Sequence, residues 1–348
     1  MEIMSAGRAI ELERRSEFRR LKEEIMEGAT PLPTKATLEL TLRCNLSCQM
    51  CFRDRGSRDE LTLKEVRDIV EGLPESTGEI RLIGGEIFLR QDIFDILDLL
   101  SERGLKVRMT TNGTLLTEER VGQLRGYNNI LSIGLSIDGP RELHNRIRGS
   151  EAAFDQTVEA IRMLSPYQPV SVNTVIMEEN IGSIPHVFSL IRELGIGEYR
   201  LEPEMFCTPE EVRAAGDLPI AANIKEGGGY GYHADELRGL KERIDGLAGE
   251  RGIRVSLIPK VAELYPEEFL GGRIREGRTL FCKHLLIPRI NTEGSLVYCH
   301  IIRKTFGSLK KRGFEELWNN GDMAGFRKML LTNNLLSVCK RCCRLRSI

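Results

Sequence analysis

The chain has 348 residues, enough for two domains of ordinary size or one elaborated barrel. Its 50 Lys+Arg balance 51 Asp+Glu to a formal net charge of −1, so no global field gathers nucleic acid or an anionic membrane surface, and a nucleic-acid partner is not expected. The charged N-terminus lacks a signal-peptide core and no stretch reads as a membrane span; the expected location is the cytoplasm, where nine cysteines read as metal ligands or redox groups rather than a disulfide framework.

From about Ala6 to Gly28, Ile10, Phe18, Leu21 and Ile25 recur at helical spacing and predict an amphipathic helix. "PLPTKA" breaks it, and Leu38, Leu40 and Leu42 alternate with polar residues as a first strand. "CNLSCQMC" follows at once. Beyond it a helix-then-strand unit recurs: "TLKEVRDIVEGL", with Thr62 and Glu65 at capping-box spacing, precedes "EIRLIGG", and "DIFDILDLLSERG" precedes "KVRMTTNG". "TEERVGQL" leads into "ILSIGLSIDG", "AAFDQTVEAIRML" into "VSVNTVIM", and "IPHVFSLIRELG" into "EYRLEPE". Six strands separated by helices predict an α/β fold with a parallel sheet, either open or curled towards a barrel.

Past Cys207 the regularity fades into "EGGGYGY", a helix at "ADELRGLKERIDGLAGERG" and the strand-like "IRVSLI". "CKHLLIPRINTEGSLVYCH" reads as a hairpin turning at Asn291–Gly294, followed by short helices at "FEELWNN" and "DMAGFRKMLL" and a terminal "CKRCCRLRSI". The expected organisation is an N-terminal helical extension (1–34), an α/β core (35–206), a connector that can complete the barrel (207–278) and a cysteine-bearing C-terminal domain (279–348).

Cys44, Cys48 and Cys51 form C-x3-C-x2-C on a loop leaving a strand, a pattern able to ligate three corners of a cubane iron-sulfur cluster and leave one iron open. Zinc is the alternative, because closely spaced cysteine pairs also serve zinc, although no histidine lies nearer in sequence than His144 to close such a site. Cys282 and Cys299 flank the hairpin, and Cys339 and Cys342 form C-x2-C, so four thiolates can close a second site; Cys343 can replace Cys342. A zinc ribbon is the alternative there.

"CNLSCQMCF" resembles the signature of the radical SAM superfamily, and later segments match that family's pattern in order. The resemblance implies a partial (β/α)6 barrel with its reactive groups at the C-terminal strand ends. Cys44, Cys48 and Cys51 would hold a [4Fe-4S] cluster with S-adenosylmethionine on the open iron, and Phe52 would pack near the adenine. In "IGGEI", Gly84 and Gly85 would expose backbone to the ligand and Glu86 would accept hydrogen bonds from the methionyl ammonium; Ile87 replaces the proline common in the family. Asn112 of "TTNG" would help to line the site. "LSIDGPRELHNRIRG" is close to the S-x-D-G and H-x-x-x-R pattern of members with SPASM or twitch extensions, so Ser136 would face the ribose or methionyl part and Arg148 its carboxylate, with Arg146 as local competitor. The C-terminal region resembles the twitch form of SPASM, implying one auxiliary cluster, of [4Fe-4S] type, on Cys282, Cys299, Cys339 and Cys342.

The implied activity is reductive cleavage of S-adenosylmethionine to a 5'-deoxyadenosyl radical that removes hydrogen from a peptide or small metabolite, with net oxidation or bond formation and a reductant such as flavodoxin or ferredoxin as partner. Glu202, Glu204, Cys207, Tyr230 and Tyr232 are the remaining candidates for catalytic residues facing substrate. Two other classes fit the cysteines alone: a zinc-binding adaptor, and an electron carrier that does not cleave S-adenosylmethionine.

Overall fold

The computed structural model describes residues 16–52, 59–249 and 252–347. Residues 16–27 are helical, as the spacing predicts, and Phe18 packs edge-on to Phe281 at 5.0 Å; Ile10 and the first turns of the expected helix lie outside the described residues.

Six strands follow in the predicted places: β1 (Lys35–Glu39), β2 (Glu79–Ile83), β3 (Lys106–Thr110), β4 (Ile130–Ser136), β5 (Val170–Ile176) and β6 (Glu198–Pro203). They pair in sequence order and all in parallel. Alternation along each strand sets the layers. Ile80 and Leu82 of β2 and Val107 and Met109 of β3 are buried in the core, whereas Arg81 and Arg108 stand on the opposite face. The connecting helices present matching stripes, such as Val66, Ile69 and Val70 on the helix Leu63–Glu71. That helix starts with the predicted capping box: the Thr62 side chain accepts from Glu65 N, and the Glu65 side chain accepts from Thr62 N, a device worth about 1 kcal/mol.

The connector contributes a two-residue pair, β7 (Phe206–Cys207) with β8 (Asn223–Ile224), the predicted helix Ala234–Gly249, and β9 (Arg254–Leu257), which joins β6 in parallel. It lengthens the barrel wall. After β10 (Leu280–Cys282), the predicted hairpin is present as β11 (Arg289–Ile290) and β12 (Ser295–Val297), with β13 (Thr305–Ser308) beyond it. The turn is where it was expected: Asn291 Oδ1 accepts from Ser295 N at 2.8 Å, and Gly294 takes φ +79°, which glycine adopts without strain. β14 (Leu345–Ser347) closes the chain against β10.

The hairpin does not form a separate sheet. β11 pairs in parallel with β1, giving one ten-stranded sheet in the order β13-β12-β11-β1-β2-β3-β4-β5-β6-β9, open at both edges among the described residues. The choice between open and closed is thereby resolved as a curled, unclosed wall. A buried charge cluster fixes the β1/β11 seam: Glu39, on β1, accepts from Arg289 at 2.8 Å and Arg303 at 2.9 Å. Removing one partner from such a buried set strands the others, at about 3–5 kcal/mol. Glu39→Ala is therefore expected to lower stability by about 3 kcal/mol, read as a lower urea midpoint, whereas Glu159→Ala on the exposed face of the helix Ala153–Leu164 leaves the midpoint unchanged.

Candidate functional site

Because β1 to β4 are parallel, their C-terminal ends bring the cysteine loop, Glu86, Asn112 and Ser136 to one rim of the sheet. The segment leaving β1 lies directly on the end of β2. Gly85 N donates to Thr41 O at 2.7 Å and Glu86 N to Arg43 O at 2.8 Å. A Cβ on Gly85 would stand 2.0 Å from Arg43 O, and one on Gly84 2.9 Å from Thr41 O. These glycines permit two backbones to touch, a reason different from the ligand exposure expected of them. Arg43 is held by a fork on Glu60, with Nε and Nη2 at 2.6 and 2.9 Å, and the Thr41 hydroxyl donates to the same carboxylate. Nothing in the sequence singles out Glu60.

The loop then caps a helix. Ser47 N and Gln49 N donate to the carbonyls of Arg148 (3.2 Å) and Ile147 (2.9 Å), at the end of the helix Arg141–Arg148, satisfying acceptors the helix itself leaves open. That helix ends at Gly149, in the left-handed region, where a Cβ would stand 2.2 Å from Ser47 Oγ. Asn112 Nδ2 donates to Asn45 Oδ1 at 2.9 Å, and Asn45 Nδ2 donates to Thr114 Oγ1 at 2.8 Å, tying the loop to the end of β3.

N–H groups approach the loop sulfurs. Leu46 N lies 3.4 Å and Asn112 Nδ2 4.0 Å from Cys44 Sγ, and Arg148 Nη1 lies 3.7 Å from Cys48 Sγ. The same Arg148 bonds Asp138 Oδ2 through Nε at 2.6 Å and Nη2 at 2.5 Å. Burial opposes the guanidinium charge, but Asp138 and Cys48 more than offset it and raise its pKa. Arg146 instead reaches Glu179 on the surface. Asp138, fully buried, also accepts from Val175 N at 3.0 Å, and its own N–H donates to His144 Nδ1 at 3.1 Å. Burial pushes the His144 imidazole down to about 4, so it is a neutral acceptor in the wall of the site. Sequence spacing reveals the Asp138 turn, not its pairing with Arg148.

Glu86 is fully buried; one oxygen accepts from the Thr111 hydroxyl (2.8 Å) and Phe88 N (3.1 Å), the other from Asn112 N (2.7 Å). Ser136 is half-buried at the end of β4. Phe52, also half-buried, lies 6.0 Å from the His300 ring. His300 in turn has Nε2 3.6 Å from Cys342 Sγ. Adjacency to Cys299 was the only available signal for His300.

Cys282, Cys299, Cys339 and Cys342 line one small buried cavity together with Tyr298 and His284; Cys343 does not line it. Burial raises the thiols of Cys282, Cys299 and Cys339, and each is raised further by neighbouring cysteines. Arg344 and Arg289 act in the opposite sense on Cys282 and Cys299 respectively, and gathered sulfur donors suit a positively charged metal group. Tetrahedral zinc would draw sulfurs to about 3.8 Å apart. Among the described residues, His300, Cys342 and Cys343 are the one trio whose donor atoms lie within 4.8 Å of one another.

Glu202, Glu204 and Cys207 lie at or just beyond the C-terminal end of β6, the same end of the sheet as the cysteine loop, and Asn223 of β8, the partner of β7, donates Nδ2 to Met50 O at 2.9 Å. Tyr230 and Tyr232 are 5.4 Å apart, and Tyr230 packs at 4.8 Å on Phe206; both hydroxyls are buried. Cys207 is fully buried, and burial pushes its thiol up to about 12. Glu204 accepts from Lys225 Nζ at 2.6 Å, and Glu202 is half-buried on β6.

Residues 38–191 match the radical SAM superfamily, and residues 287–343 match the iron-sulfur cluster-binding SPASM domain. The chain belongs to the radical SAM superfamily. It is a radical SAM enzyme with a SPASM domain, and its cofactors are a [4Fe-4S] cluster with S-adenosylmethionine and auxiliary iron-sulfur. An AdoMet-dependent heme synthase of Methanosarcina barkeri is 27% identical over 336 residues, 91% of this chain and 90% of that protein. The subtilosin biosynthesis protein AlbA of Bacillus subtilis is 34% identical over 172 residues, 47% of this chain and 38% of its own length. The crystal structure of SuiB from Streptococcus suis superposes with a TM-score of 0.67 at 17% identity, over 89% of this chain and 72% of that one. Among the described residues no helix is long and apolar enough to cross a membrane.

Gly85→Ala is expected to displace the segment entering the cysteine loop. Iron and sulfide bound after reconstitution should fall by about one cluster per chain, with the circular dichroism spectrum retained.

Proposed function

We propose that this radical SAM enzyme cleaves S-adenosylmethionine at the Cys44, Cys48 and Cys51 loop and oxidises a small metabolite held inside the curled sheet. Bound there, the cluster and its cosubstrate supply one-electron scission of the sulfonium and a 5'-deoxyadenosyl radical able to take hydrogen from an unactivated carbon. The single observation carrying the reading is the loop itself: three cysteines at the end of β1, seated on the carbonyls of Ile147 and Arg148, with an Arg148 N–H on Cys48 Sγ.

The chain's own residues then divide the work. Gly84 and Gly85 set the loop's height above β2, and Glu86 and Asn112 offer the polar wall for the methionyl part. Arg148 stays cationic through Asp138, so it can hold a carboxylate while donating to sulfur; Ser136 and Phe52 complete the pocket. Cys282, Cys299, Cys339 and Cys342 hold the auxiliary cluster, with Cys343 outside it, an arrangement supported by the four sulfurs lining one cavity. Bound there, an auxiliary cluster would accept the one electron a substrate radical loses after its hydrogen atom has passed to the 5'-deoxyadenosyl radical, and a flavodoxin or ferredoxin would supply the separate electron that cleaves S-adenosylmethionine.

Similarity to a heme synthase over 91% of this chain supports a heme precursor as substrate, whereas the bacteriocin-biosynthesis relative AlbA matches 47% of this chain. Cys48→Ala should abolish 5'-deoxyadenosine formation by anaerobically reduced protein. Cys299→Ala should retain at least a third of it while product falls at least a hundredfold, an order of loss set by removing an electron acceptor rather than the radical source. Equal loss of both in Cys299→Ala would give the distal site a purely structural role. Colourless zinc protein would reject the enzyme reading, and cluster-loaded protein that forms no deoxyadenosine would leave an electron carrier.

A further inference from the structure

A second cavity, of about 490 Å³, lies at the opposite, N-terminal end of the strands, between the segment 31–37, β2, β3 and the segment 281–287. Its size is that of a small-molecule site. One wall is apolar, made by Leu21, Pro31, Phe281, Leu286 and Ile287. The other is charged: Arg81 on β2, Arg108 on β3, Lys35, Lys283 and Arg344, with Glu79 as the one carboxylate, paired to Lys35 and Arg108.

These cations are not equivalent. Arg108 donates to Glu79 at 3.2 Å. The side chains of Arg81, Lys283 and Arg344 have no hydrogen bond or ion pair among the described residues, and Arg344 Nε is buried without a partner. Glu202 is the carboxylate facing Arg81 and Arg344, yet it forms no ion pair with either. A guanidinium taken from water without an acceptor is costly, and several together are costlier, unless something anionic completes them. Burial, followed by repulsion from Arg344 and Arg200, pushes Arg81 down to about 10, whereas the burial of Arg344 is outweighed by Cys343, Glu202, Cys342 and Cys282, which raise it, so of these two guanidinium groups Arg81 has the less counter-charge. An apolar wall facing a forked cationic wall selects an amphipathic ligand with carboxylates on one edge.

We propose that Arg81, Arg344 and Lys283 form a carboxylate-binding subsite that anchors the substrate from the end of the barrel opposite the cysteine loop. The subsite deepens the oxidative reading above and rests on it for the identity of the ligand as substrate. His284 lines both this cavity and the one shared by Cys282, Cys299, Cys339 and Cys342, so an anchored ligand lies one side chain from the auxiliary thiols.

The test uses cluster-loaded full-length protein and tricarballylate as probe, at constant ionic strength. Tricarballylate should protect Arg81 and Arg344 from phenylglyoxal in the unmutated protein, mapped by mass spectrometry, and should bind at least tenfold more weakly to Arg81→Met and Arg344→Met. Arg162→Met, on the outer surface, should bind as the parent does, and Arg81→Lys should lose less than Arg81→Met. A tetrapeptide acid protecting as well as tricarballylate, with its amide inactive, would place the carboxylate on a peptide and still support the subsite. Equal protection by inorganic phosphate, or no protection by any carboxylate, overturns it. Deoxyadenosine formation without substrate separates the two readings: if cleavage is intact and protection absent, only the subsite fails; if protection is present and cleavage absent, the proposed function fails.

Discussion

The position of the three loop thiols depends on a place where two backbones cross with no room for a side chain. Gly85 lies so close to Arg43 O that any Cβ would overlap it, and the two hydrogen bonds from Gly85 and Glu86 to the segment 41–43 fix the height at which the chain leaves β1. Everything downstream inherits that height. The loop can then reach the end of the helix Arg141–Arg148, where it supplies N–H donors to carbonyls that helix geometry leaves unpaired. One backbone contact therefore aligns elements from the first, second and fourth βα units.

Asp138 gives the same rim its electrostatics. It is fully buried, and two elements satisfy it: Arg148 of the helix Arg141–Arg148 and Val175 N of β5 bond its carboxylate, while neutral His144 of the same helix accepts from its amide. A buried carboxylate would be costly alone, and Arg148 would be costly beside it without that partner; together they leave a cation whose remaining N–H reaches a cysteine sulfur. The arrangement brings a neutralised cation against the Cys48 sulfur without placing a free charge in the wall. Arg146, two residues away on the same helix, points to solvent and Glu179, so the helix phase decides which arginine serves the site.

The strand-helix alternation was legible because hydrophobic period and turn residues agree at every unit, and the capping box at Thr62 and hairpin turn at Asn291 have local chemistry that needs no tertiary information. What stayed hidden depends on distance along the chain. Glu60 and Arg43 are separated by a loop, Glu39 meets arginines some 250 residues away, and Arg81 looks like any solvated strand residue until the hairpin and the terminal segment enclose it. The doublet Gly84-Gly85 was visible, but its reason was not, because the atom it avoids belongs to a different segment.

The pairing of β11 with β1 also joins the two cysteine sites. β1 ends in the first loop, while its side faces the hairpin that presents Cys299, and Glu39 bonds arginines on both sides of that hairpin. Phe52, directly after Cys51, faces His300, directly after Cys299, and His300 reaches Cys342. A shift of the hairpin register by one residue would turn Arg289 away from Glu39 and carry Cys299 out of its cavity at the same time, since side chains alternate along a strand. The buried carboxylate on β1 thus sets the register that holds the distal thiols together, and the geometry of the second site is a consequence of the first strand.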